Sequence, residues 1–152
     1  MAQVVIQTTV SDHVTVDDQS LAELLTNSQA KLGADIPMTS ADTFYGTTSV
    51  TLAAGTWLLT AHVTVARTTT TACTYTSRIY NGSSAEVSGG QFMTSNANNL
   101  TTITMTCIVT PSGSTTYTVQ AASNVSACVM KAAVPVNGQG NNATTITAIK
   151  LA

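Results

Sequence analysis

Few side chains in this sequence could do chemistry. It holds two histidines, three cysteines and seven carboxylates in 152 residues. Acid–base hydrolysis needs two carboxylates facing each other across a substrate. Beyond Asp42 the sole carboxylate is Glu86, so such a pair would have to come from the leading segment. A serine–histidine–carboxylate relay of the hydrolase type places its nucleophile in Gly-x-Ser-x-Gly, which is absent. His62 stands among threonines on the strand face opposite Trp57, where a surface or subunit-contact histidine belongs. His13 lies in an acidic stretch and reads as solvated, and Asp17-Asp18 suit a helix start better than a divalent ion. Structural zinc takes four thiolate or imidazole ligands, whereas Cys73, Cys107 and Cys128 lie 34 and 21 positions apart without a CxxC. The expectation is no enzyme, no metal and no cofactor.

The elements that carry these residues are strands. Threonine occurs 30 times and serine 14 times. Threonine is β-branched, fits a pleated half-exposed surface and forms helices poorly. Only 8% of residues are charged while 43% are hydrophobic, which supplies a core and rules out a disordered chain. No run of 18 apolar residues is present, so no membrane helix is expected. Residues 1–42 carry six acids and one base, net −5, and residues 43–152 one acid and four bases, net +3. Four scattered bases cannot track a phosphate backbone, so nucleic acid is not an expected partner. The odd cysteine count, without a basic, apolar leader, favours buried thiols in a protein made in the cytosol.

Period-two alternation is plain over Trp57–Ala66, Cys73–Tyr80, Thr102–Val109, Thr116–Ala121 and Thr144–Ala152. Turn signals separate these runs: Asn81-Gly82-Ser83, Gly89-Gly90, Asn98-Asn99, Pro111-Ser112-Gly113 and Asn137 to Asn142. About eight strands at this spacing make a sandwich or barrel. The leading segment differs. Ser20-Leu21-Ala22-Glu23 reads as a capping box, with Leu21, Leu24, Leu25 and Leu32 following at helical spacing and Gly33 and Pro37 as stops. A helix of about three turns is not stable alone and must dock. The expected division is therefore an N-terminal attachment arm over 1–40 and an all-β head over 41–152.

Thr51-Leu52-Ala53-Ala54-Gly55-Thr56-Trp57-Leu58-Leu59-Thr60-Ala61-His62-Val63 resembles the strand–Gly–aromatic–strand passage of the tumour necrosis factor and complement globular-head superfamily. Arg78-Ile79-Tyr80-Asn81-Gly82-Ser83 is similar to that family's next hairpin, and Thr115–Ala121 with the closing C-terminal strand completes the order. The resemblance covers roughly residues 44–152. The threonine-rich, charge-poor style resembles bacteriophage versions of this jelly roll, found in fibre tips and on capsid surfaces. It implies a jelly-roll β-sandwich and an obligate homotrimer.

Two functions follow as expectations. The first is a non-enzymatic structural protein of the phage virion. It would be made in the host cytoplasm and displayed on the virion surface as a trimeric capsid-decoration or head-fibre protein, attached to a capsid or appendage protein through its arm. The second is a tail-fibre tip recognising a host glycan or protein, with Asn96, Asn98, Asn99, Asn137, Asn141 and Asn142 as loop contacts. Several strands carry apolar residues on both faces, among them Leu58 beside Leu59 and Ile108 beside Val109. A half-solvated strand has no use for both. Leu58, His62, Ile108, Ile149 and Leu151 are accordingly the expected trimer contacts.

Overall fold

The computed structural model describes residues 26–93, 99–126, 128–136 and 139–151. The run Trp57–Arg67 shows how the sequence builds the fold. Trp57, Leu59, Ala61, Val63 and Val65 are buried, while Leu58, Thr60 and His62 between them are half-buried or exposed. One face of the strand enters a core and the other faces outward.

Among the described residues twelve strands form in chain order: β1 (Asn27–Lys31), β2 (Ile36–Met38), β3 (Tyr45–Leu52), β4 (Trp57–Arg67), β5 (Cys73–Tyr80) and β6 (Ala85–Met93), followed by β7 (Leu100–Val109), β8 (Thr115–Ser123), β9 (Cys128–Met130), β10 (Ala133–Val136), β11 (Gln139–Asn142) and β12 (Thr145–Lys150). Four antiparallel pairs nest inside one another: β5 with β6, β4 with β7, β3 with β8, and β1 with β12. Rolled up, these pairs interleave into two sheets, β1-β12-β4-β7 and β3-β8-β5-β6. A nested long hairpin rolled into two sheets is a jelly roll, so the fold expected from the sequence is present. The last residues of β4 pair with β9, which pairs with β2 and widens the first sheet. β10 and β11 form a separate hairpin.

The core lies between the sheets. Leu59, Val63, Met105, Ile146 and Ala148 meet Val50, Leu52, Tyr75, Ile79, Tyr117 and Val119 there. Trp57 donates its indole N–H to the Ala53 carbonyl at 3.0 Å, so its ring is buried with its one polar group satisfied. The β3–β8 register slips between Tyr45 and Thr48, with Gly46 at the bulge. A Cβ at Gly46 would stand 2.0 Å from the Val119 carbonyl oxygen, so glycine is required for that close approach.

The leading segment departs from expectation. Leu21, Leu24 and Leu25 lie outside the described residues, but the stretch assigned to the end of the helix is β1, paired with β12 along its whole length. Leu32 is not part of an external stripe: it is 5% exposed in the core, and its N–H donates to the Thr144 carbonyl. The pairing opportunity offered by the β12 edge outweighs a weak helix propensity that has no packing partner. Pro37, expected only as a helix stop, sits in an edge strand, where its missing N–H costs nothing. The boundary at 40/41 therefore cuts through the folded unit, because residues 27–38 supply two of its strands.

Candidate functional site

The outer face of the β1-β12-β4-β7 sheet is built by register. Leu58 is paired on one side with Ile149 and on the other with Ile108, so these three form one row across three strands. Strand alternation aims all three away from the core, whose places belong to Leu59, Ala148 and Val109. Ile108 is 64% exposed, Ile149 43% and Leu151 48%. The Leu151 N–H donates to the Thr56 carbonyl, which holds that end of the chain beside the start of β4. Leu100 stands at the opposite end of β7, also exposed.

The remaining rows are hydroxyls. Thr60 faces Thr106 and Thr147, and Gln29 donates to the Thr147 hydroxyl at 3.3 Å. His62 lies between Thr145 and Thr104, and its Nδ1 is 2.9 Å from the Thr104 hydroxyl. That ring nitrogen is held by an alcohol and not by a carboxylate, so it does not form the relay of a hydrolase. The Thr64 hydroxyl donates to the Ala143 carbonyl at 2.8 Å and lies 2.7 Å from that of Thr102.

β7 is the edge of this sheet. Among the described residues it hydrogen-bonds to β4 alone. Its sequence, Leu-Thr-Thr-Ile-Thr-Met-Thr-Cys-Ile-Val, contains no charge and no proline. Edges left open to water normally carry such guards, because an unguarded edge recruits another chain. The apolar row and this edge meet at Ile108.

Of the expected trimer contacts, Leu58, Ile108 and Ile149 come together in one row, and Leu151 and His62 share the sheet. The expected receptor loops divide. Asn96, Asn98 and Asn137 lie outside the described residues. Asn99 is half-buried, and its carbonyl accepts the Arg67 N–H. Asn141 and Asn142 are not in a loop but in strand β11, because this short polar stretch pairs as a hairpin with the apolar run Ala133–Val136. That hairpin borders an open groove of about 390 Å³ lined by His62, Thr64, Leu100, Thr102, Asn141 and Asn142, among others.

A second cluster, which residue spacing does not reveal, stands on the outer face of the other sheet. The Arg78 guanidinium lies 3.7 Å from the Phe44 ring centre and 4.3 Å from that of Tyr80. Its Nε donates to Gln120 at 2.8 Å. Phe44 is 34 positions away in sequence, so only the i, i+2 pair of Arg78 and Tyr80 could have hinted at the stack.

No family model and no curated protein matches the sequence. Two solved structures are similar to the fold. Eiger TNF from S. frugiperda has 10% identity and a TM-score of 0.45, over 66% of this chain and 61% of that one. Murine APRIL at pH 5.0 has 13% identity and a TM-score of 0.39, over 64% of this chain and 68% of that one. The chain thus spans less than two thirds of the Eiger structure. The likeness is remote, and the jelly roll rests on strand order instead.

Proposed function

We propose that this protein is a non-enzymatic structural component of a phage virion, a homotrimer displayed on a capsid or appendage surface. The observation that carries self-assembly is the exposed row Ile149–Leu58–Ile108 running up to β7, which among the described residues hydrogen-bonds to β4 alone. A face and an edge are different surfaces, and joining one to the other is a heterologous contact, which closes into a ring where its rotation divides the full circle. Three copies is the closure that the globular-head resemblance implies. The hydroxyl-bearing, charge-poor strand faces suit a displayed domain that presents proteases with few lysines and arginines.

Residues 1–25 are the proposed attachment segment. They carry four acids and no base, include Leu21, Leu24 and Leu25, and precede the edge strand β1 in sequence. The test uses the full chain with Leu21→Asp, Leu24→Asp and Leu25→Asp together. Bare capsids of the source virus should bind the wild type and lose the variant, while the variant's oligomeric state stays unchanged. Equal binding by both would overturn the attachment role.

A second reading has its own observation, the open groove beside the β10–β11 hairpin with Asn141, Asn142 and His62 on its walls. Amides and hydroxyls without a formal charge suit a neutral sugar, as a receptor-binding tip requires. A glycan array separates the two readings: selective binding abolished by Asn141→Ala favours the tip, and a blank array favours the structural role.

A further inference from the structure

Cys73 opens β5 in one sheet, and Cys128 opens β9 in the other. They are 55 positions apart, yet their Sγ atoms lie 3.4 Å from each other. Both residues belong to the core, at 1% and 2% exposure. The Cys128 sulfur also lies 3.4 Å from the Ser123 hydroxyl. Cys107 is elsewhere, half-buried on β7 opposite Leu59. One pair of thiols is therefore preset across the sandwich, and the third is set apart.

We infer that Cys73 and Cys128 form an inter-sheet disulfide when the folded protein meets a small two-electron oxidant such as hydrogen peroxide. A disulfide bond is about 2.05 Å long, so the sulfurs must approach by roughly 1.4 Å, a distance that side-chain rotation spans. One thiol gives up its proton and attacks a peroxide oxygen, which yields a sulfenic acid and water. The second thiol then attacks that sulfur, the S–O bond breaks and a second water leaves. Two thiols lose two electrons and two protons in all, and peroxide accepts both. Burial pushes the Cys73 thiol above its ordinary pKa, with the neighbouring Cys128 adding to the rise, so thiolate is scarce and the step is slow. The product bolts β5 to β9 and closes a loop of 55 residues. Such a link does not depend on the virion role.

The test is intact mass of the full wild-type chain after peroxide treatment, with remaining thiols capped by maleimide in denaturant. The expected product has lost two hydrogens and carries one adduct in place of three, and its peptide map joins Cys73 to Cys128. Its Tm should rise by roughly 10 °C, and a reductant should reverse the rise. Cys107→Ala should leave both changes intact. Three adducts, a link involving Cys107, or sulfinic acid in place of a cross-link would each overturn the inference.

Discussion

Replacing Ile108 with aspartate separates a lone chain from an assembled one. In a lone chain Ile108 is 64% exposed on the outer face, so the carboxylate stays hydrated. The cost to folding is then limited to lost strand propensity, at most about 1 kcal/mol. If a second copy covers the Ile149–Leu58–Ile108 row, the same carboxylate is buried against aliphatic neighbours. An unpaired charge in such a place costs about 3–5 kcal/mol, and the isoleucine burial it replaces about 1–2 kcal/mol more. At 1.4 kcal/mol per factor of ten, each contact weakens by about 700-fold to about 10⁵-fold. A ring contains such a contact at every interface. Sedimentation velocity at micromolar concentration should therefore show the wild type assembled and Ile108→Asp as a folded monomer. Thr74→Asp places the same charge on an exposed site of the other sheet and should stay assembled. If Ile108→Asp sediments like the wild type, the row is not an interface. If it unfolds instead, the row belongs to the subunit's own stability.

Other consequences concern the fold. A chain lacking residues 1–25 should melt within a few degrees of the full protein. One lacking 1–38 loses β1, Leu32 and Met38 and should be destabilised by at least about 4 kcal/mol, as a urea titration would show. Gly46→Ala drives a methyl into the Val119 carbonyl and should cost about 3 kcal/mol or more by the same titration. Burial alone would raise the Asp35 pKa, but the Lys131 ammonium and the Ala132 N–H outweigh it and hold the carboxyl below its ordinary value. That group's contribution is present above about pH 4 and is lost as pH falls through the lowered folded value. The pair is partly exposed, so Asp35→Asn should cost only about 0.5 kcal/mol at pH 7 and flatten stability measured between pH 5 and pH 2.

The sandwich is legible in the sequence wherever threonine alternates with apolar residues, as in β4, β5, β7, β8 and β12. The doubled apolar positions Leu58–Leu59 and Ile108–Val109 likewise separate into an outer and an inner set in the structure. The elements that escaped lack that period. β6 contains Gly89-Gly90, β10 is a four-residue apolar run with a proline and no alternation, and β11 is short and polar, so Asn137 to Asn142 read as turn chemistry alone. β1 lies between the capping box at Ser20 and Leu32, whose spacing is helical, and a local pattern carries no information about an edge 118 positions later. For the same reason neither the Arg78 stack nor the Cys73–Cys128 contact could be read from spacing: both are made by register between distant strands.

The mass of the native full chain at micromolar concentration tests assembly most directly. Native mass spectrometry, supported by sedimentation equilibrium, should give three chains of 15.6 kDa and no populated monomer. A stable monomer would contradict the proposal, because the apolar row Ile149–Leu58–Ile108 would then face water.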